Sequence, residues 1–310
     1  MLSRRFLRVK SFQALYSYFQ SEDRNMKKLE SETFLSLERM HDLYLFFLAL
    51  GQELTHLSEL RMEEAKKKKL PTVEDLNPNR KFVENKVLAL FAENVSLKKQ
   101  INDKNISWST DQELMIKFSA FVREHKVFKD YMSTGESSFA EDKKFVVDLY
   151  KKIIPEFELL LSEIEDKSIF WGLDEIDFVL SMVLKTIKKF NEKSSFSEKL
   201  LPLYRDAEED KKFVRDLLSK AVKHDKEHSK LISDKTKNWD VDRIAMVDIL
   251  LMKLALTELI HFKSIPVKVT LNEYIELSKW YSSPKSKIFV NGVLDKLVLE
   301  LKSKGDLKKM

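Results

Sequence analysis

The chain has no cysteine, five glycines and six prolines among its 310 residues. Without cysteine there are no disulfides, no thiolate metal sites and no cysteine nucleophile, which suits a reducing, cytoplasmic setting. So little glycine and proline argues for helices over sheet and turn. No apolar run reaches membrane-spanning length; the longest, LYLFFLAL at Leu43–Leu50, fits a buried helix. Neither a P-loop, a G-x-G-x-x-G nor a G-x-S-x-G occurs. The expectation is a chain that is not an enzyme, with no catalytic residues, no cofactor and no membrane partner.

Apolar residues make up 43% of the chain, ample for a core. The net charge of +5 is unevenly spread. Residues 1–21 carry +4 through Arg4, Arg5, Arg8 and Lys10, and residues 279–310 carry +5, leaving −4 between them. Basic ends around a mildly acidic middle suit a polyanion site built where the termini meet.

The first segment, MLSRRFLRVKSFQALYSYFQ, reads as a helix with basic early turns and aromatic later ones. At 100° per residue Arg4, Arg5 and Arg8 share one sector, continued by Phe12, Leu15, Tyr16 and Phe19. No acid lies nearby in sequence, so the three arginines are expected to project as open cations while the later turns bury. An Arg-rich, acid-free start also fits a transit peptide or a plain solvated helix. Leu29 to Arg61 reads as a long amphipathic helix, followed by the run Lys66–Lys69 and a linker from Pro71 to Pro78. The lysine run complements the helix dipole and solvates the loop.

An internal repeat follows. Segments starting at Lys81, Lys144 and Lys212 align without gaps and share eight identical positions in 31. Among these are Phe82/Phe145/Phe213, Lys104/Lys167/Lys235, Trp108/Trp171/Trp239 and Asp111/Asp174/Asp242. Each unit reads as an amphipathic helix, a short Ile-x-Asp-Lys segment, a Trp and a second apolar helix. The Asp is placed to accept an orphan N–H at the second helix, and the Trp to be buried between the helices of its own unit.

Trp239 to Leu297 reads as three closely spaced helices. The first has an apolar face at Ile244, Val247, Leu251, Leu254, Ala255 and Leu259. The second starts at Pro266 or, by a rival capping box, at Thr270 with Glu273. The third carries Phe289, Val290, Val293, Leu294, Leu297 and Val298, with Gly292 inside it. Gly there costs about 1 kcal/mol against Ala, which points to a packing or contact reason.

This tail resembles the C-terminal half of the NusB family of transcription antitermination factors. The matching pattern runs Ala255-x-x-Glu258-Leu259, Ile265-Pro266, Val269-x-x-Asn272-Glu273, Glu276-Leu277-x-Lys279 and Ser286 to Asp295. The N-terminal segment resembles the family's start through Arg4, Arg5, Arg8, Gln13, Leu15 and Tyr16. Ile288 stands where the family usually has Lys, Lys253 for Arg, Thr257 for Tyr and Val9 for Glu. The resemblance covers about 100 residues of the tail and the first 20; the middle is read without it.

The resemblance implies an all-α helical bundle of NusB type, here with extra repeated helical units. The expected division is a basic helix at 1–20 belonging to the NusB-like body and an inserted helical region at 21–205. The insert holds two repeat units at about 80–122 and 143–190. The C-terminal helical domain follows at 206–303, and a basic tail at 304–310. Helix 3–20 must then pack against 208–300. The implied function is binding of boxA-like single-stranded RNA together with NusE, a ribosomal small-subunit protein, in a transcription complex with RNA polymerase. RNA contact is implied from Arg4, Arg5, Arg8 and Gln13 together with Tyr281, Lys285, Lys287 and Phe289. Aromatics that stack bases beside cations for phosphate suit such a surface, although Phe289 also fits a core position and the lysines a solvated face. Contact with NusE is implied from Tyr16 and Asp248, the latter off the centre of its helix's apolar stripe and expected to face outward.

Two rivals stand beside this reading. One is a helical interaction scaffold without RNA binding. The other is a zinc hydrolase at His224-Asp-Lys-Glu-His228, which has the H-x-x-E-H spacing. Against the second, the segment is among the most polar of the chain, and the second repeat unit has Glu156 and Leu160 at the histidine positions. The S-adenosylmethionine domain of a related RNA methyltransferase family has no counterpart here.

Overall fold

A computed structural model describes residues 1–135, 138–236 and 244–307, and all their regular elements are helical. In chain order the α-helices are α1 (Arg4–Gln20), α2 (Met26–Lys66), α3 (Val73–Leu76), α4 (Lys86–Ala92) and α5 (Val95–Asp103). Next come α6 (Gln112–Glu124), α7 (Lys126–Ser133), α8 (Phe139–Asp148), α9 (Ile154–Glu156), α10 (Glu158–Asp166) and α11 (Leu173–Lys189). The last are α12 (Ala207–Lys223), α13 (Asp225–Thr236), α14 (Met246–His261), α15 (Val267–Tyr281) and α16 (Ser286–Ser303). An all-α fold is therefore observed. The chain forms two compact units, one comprising Glu38–Leu203 and the other Leu2–Leu37 with Tyr204–Met310.

The first unit is organised on the LYLFFLAL run of α2, whose eight residues are all buried. A helix apolar all round has to be surrounded, and the surrounding elements bind its backbone as well as its side chains. Trp108 stacks on Phe46, ring centroids 3.7 Å apart, and donates its indole N–H to the Phe46 carbonyl at 3.0 Å. Tyr150 donates its hydroxyl to the Phe47 carbonyl, and Trp171 its indole N–H to the Arg39 carbonyl. Gly51 lets α4 come close: a Cβ there would lie 2.7 Å from a Leu88 methyl.

The two described repeat tryptophans therefore bond the backbone of α2. Trp108 is 2% exposed, but Trp171 is only half-buried, contrary to the expectation that both seal their own unit. Trp239 and Asp242 lie outside the described residues. Asp111 makes no capping bond; its carboxylate accepts instead from Lys167, the repeat lysine of the following unit, at 2.7 Å. The phenylalanines behave alike, with Phe82, Phe145 and Phe213 all buried.

In the second unit α14 is the central helix. Leu250 to Leu259 are buried except for half-buried Lys253, and α1, α12, α13, α15 and α16 all pack on it. Pro266 is the N-cap of α15, so the proline start prevails over the capping box. Thr270 and Glu273 are thereby released for other bonds. Around Gly292 a Cβ would meet nothing within 4 Å, so packing within the described chain does not require glycine there.

Candidate nucleic-acid interface

The N-terminal arginines sit on the first turns of α1, opened by Ser3, whose hydroxyl accepts the Phe6 N–H at 3.2 Å. Each has a carboxylate partner, which corrects the expectation of three open cations. Arg4 meets Asp210 at 3.1 Å and Glu209 at 3.5 Å and lies over the Phe213 ring. Arg5 forms a fork with Glu273 at 2.9 and 2.8 Å, which raises its already high pKa.

Arg8 is 3% exposed and forms a second fork, both bonds 2.8 Å, with the fully buried Glu258. Burial works against the Arg8 charge, but the Glu258 bonds and charge outweigh it and the pKa is raised. Thr270 donates to the same carboxylate at 2.8 Å and Tyr274 at 3.4 Å. Burial first, then the Glu258 charge, pushes the Tyr274 hydroxyl well above its ordinary pKa, so it stays a donor. Two forks and two hydroxyls thus lock α1 onto α14 and α15. A buried ion pair adds little net stability over an apolar pair, but its geometry fixes the register of the helices that carry it.

A groove of about 1150 Å³ runs along this network. Its lining includes Arg4, Arg5 and Arg8 together with Lys212 and Lys263, which make no ion pair among the described residues. These two lysines are open cations that the sequence pattern did not reveal. Lys212 belongs to the repeat, which disguised it as a structural position; Lys263, in the turn before Ile265-Pro266, gave no signal.

At the middle of α1, Phe12 is buried against Tyr281, ring centroids 5.3 Å apart. Tyr281 is therefore held by a neighbouring ring and half-buried, not an open plane for a base. Phe289 is half-buried as well. Lys285 and Lys287 are exposed around the start of α16, and Gln13 is half-buried on α1. The Glu276 carboxylate, bonded to Lys279, is held below its ordinary pKa by that lysine first and also by Arg5 and Lys287, so both basic groups act on one point. Beside Arg5, Trp280 is 58% exposed with the guanidinium 5.8 Å from its ring centroid. It is the open aromatic that Tyr281 was expected to be, displaced by one residue because Tyr281 turns inward to Phe12.

Tyr16 is 38% exposed. Asp248 is 4% exposed, and its Oδ1 has no hydrogen-bond partner among the described residues, so the expected outward-facing acid is instead buried in the first turn of α14. Gln20 contacts the Met246 sulfur at 3.1 Å, bringing the end of α1 to that same turn.

The three histidines His224, His228 and His261 cluster, with ring centroids 5.8 and 4.6 Å from His224. His224 pairs with Glu227 at 2.9 Å, and His228 is fully buried with its pKa lowered to about 4, by desolvation above all. Among the described residues no group of three or more His, Asp or Glu side chains is placed to hold a metal ion.

Residues 179–298 match the model of the NusB family. Three relatives are each named transcription antitermination protein NusB. That of Salinibacter ruber is 40% identical over 97 residues, 31% of this chain and 61% of its own. That of Chloroherpeton thalassium is 37% identical over 99 residues, 32% of this chain and 47% of its own. That of Alkaliphilus oremlandii is 37% identical over 91 residues, 29% of this chain and 66% of its own. The chain thus spans about half to two thirds of the NusB proteins it matches. No solved structure matches. The NusB match contains Asp248, Tyr281, Lys285, Lys287 and Phe289; Arg4, Arg5, Arg8, Gln13 and Tyr16 lie outside it. No helix among the described residues is long and apolar enough to cross a membrane.

Proposed function

We propose that this chain is a non-enzymatic transcription antitermination factor that binds boxA-like single-stranded RNA together with the ribosomal protein NusE. The observation that carries the reading is the groove in which the basic turns of α1, Lys212 and Lys263 meet within the unit that holds most of the NusB-like segment. Phosphates are attracted by the open lysines, while Arg4 and Arg5, paired but part-exposed, supply N–H groups held in fixed directions. Trp280 beside Arg5 offers a ring for a base, and Lys285 and Lys287 continue the positive face. Tyr16 and the first turn of α14 form the patch for NusE.

Anisotropy titration of labelled boxA RNA, with and without NusE, tests this. Binding tightened by NusE and weakened by base substitution in boxA supports it. Binding indifferent to sequence and to NusE overturns it. A helical scaffold without RNA binding is the second reading, favoured by the carboxylates that already occupy Arg4, Arg5 and Arg8.

A further inference from the structure

A second cavity, of about 420 Å³, lies within the first unit, walled by the last turns of α2, by α3 and by α6 and α7. Its apolar lining includes Met62, Phe82, Phe128 and Met132, and two arginines, Arg61 and Arg123, also line it. Arg61 is exposed and makes no hydrogen bond or ion pair among the described residues. Arg123 is half-buried, and its one hydrogen bond goes to the Ser119 hydroxyl at 2.9 Å. Desolvation first and the Arg61 charge second lower the Arg123 pKa, an effect that the Glu124 charge only partly offsets.

The acids around them are otherwise engaged or turned to water. Glu124 bonds Lys129 at 2.6 Å, Asp75 takes Lys68 and caps α3 through Thr72, and Glu64 and Glu74 are exposed. Arg8 and Arg80, by contrast, are held by the carboxylates of Glu258 and Glu84. Two guanidinium groups with no carboxylate bonded to either, in a concave and partly apolar site, leave N–H donors for an anion from outside.

We propose that this cavity binds a small organic anion, a phosphate or carboxylate gripped by Arg61 and Arg123 with a flat apolar body resting on Phe82, Phe128 and Met132. The volume suits a compact ligand of mononucleotide size or smaller. The site lies in the insert, outside residues 179–298, and does not depend on the RNA reading.

The test is calorimetric titration of the full chain with phenyl phosphate, benzoate and inorganic phosphate, alongside the Arg61→Gln/Arg123→Gln variant. Phenyl phosphate or benzoate is expected to bind at least tenfold tighter than inorganic phosphate, whichever binds better naming the head group. Each arginine removed is expected to weaken binding by about tenfold, the usual effect of deleting a charge-assisted bond. Because the empty pair repels itself, the double variant is expected to melt no lower than the parent, and phenyl phosphate to raise the melting temperature of the parent alone. No heat with any probe at 10 mM, equal binding by the double variant, or inorganic phosphate binding as well as phenyl phosphate overturns the proposal. Displacement of phenyl phosphate by single-stranded RNA at lower concentration would reassign the site to nucleic acid and overturn it as well.

Discussion

Arg8 and Glu258, 250 positions apart in the chain, meet in a two-bond fork from which water is excluded. Glu258 accepts two hydrogen bonds from Arg8 there and one each from Thr270 and Tyr274. Removing one partner leaves a buried charge unpaired. Glu258→Gln is expected to cost about 3–5 kcal/mol in urea denaturation. The double change Arg8→Met/Glu258→Leu is expected to recover most of that loss, since an apolar pair carries no desolvation penalty. A Glu258→Gln loss under 1 kcal/mol would show that the fork does not hold α1 in place.

Because Arg8 is buried and Arg4 and Arg5 are paired, the salt dependence of RNA binding is expected to reside in the lysines. Replacing Lys212, Lys263, Lys285 and Lys287 with Gln should flatten the slope of log K against log salt by roughly 0.7 for each phosphate that is no longer neutralised. Arg8→Gln should leave the slope unchanged while lowering stability. Isotherms at four salt concentrations separate the two, and an unchanged slope in the lysine variant removes the groove from the RNA site.

Stability should fall in mild acid. His228 has its folded pKa lowered to about 4 against an ordinary 6.5, so between these values the unfolded chain binds a proton that the folded chain refuses. The contribution is fully present above pH 6.5, declines as pH falls and is lost below about 4, up to roughly 3 kcal/mol in all. His41, lowered to about 4 by burial in the first unit, adds in the same window. Denaturation midpoints from pH 7 to 4 should fall less steeply for His228→Asn than for the parent.

The two described repeat tryptophans should differ. Trp108→Ala removes a buried ring, a stacking contact and a bond to the Phe46 carbonyl, and should cost about 3–5 kcal/mol. Trp171→Ala removes a half-exposed ring and should cost about 1 kcal/mol. Equal losses in chemical denaturation would argue against the α2-centred account of the repeat.

Gly292→Ala should raise stability by about 1 kcal/mol, because the site is helical and open. If the variant is stabilised yet binds RNA or NusE less well, the open face of α16 is a contact surface, and the glycine is explained by its partner rather than by packing. Unchanged binding would leave no functional reason for it.

Composition and periodicity determined the helical class. Few glycines and prolines, an eight-residue apolar run and 3.6-period stripes admit little else, and local patterning of that kind is readable because it acts over a few turns. The pattern from Ala255 to Asp295 carried the NusB likeness for the same reason: its spacings are local. What only the tertiary structure decided is charge and facing. Arg4, Arg5 and Arg8 have no acid within their own segment, yet Asp210, Glu258 and Glu273 reach them from three other helices. Asp248 lies off the centre of its apolar stripe but is buried, because α14 is enclosed on nearly every side and leaves almost no outward face. Tyr281 is half-buried and its neighbour Trp280 open because Phe12, more than 260 positions away in sequence, claims the Tyr281 ring. Helical periodicity specifies which residues share a face; which face meets water, and which cation meets which acid, depends on neighbours that sequence distance conceals.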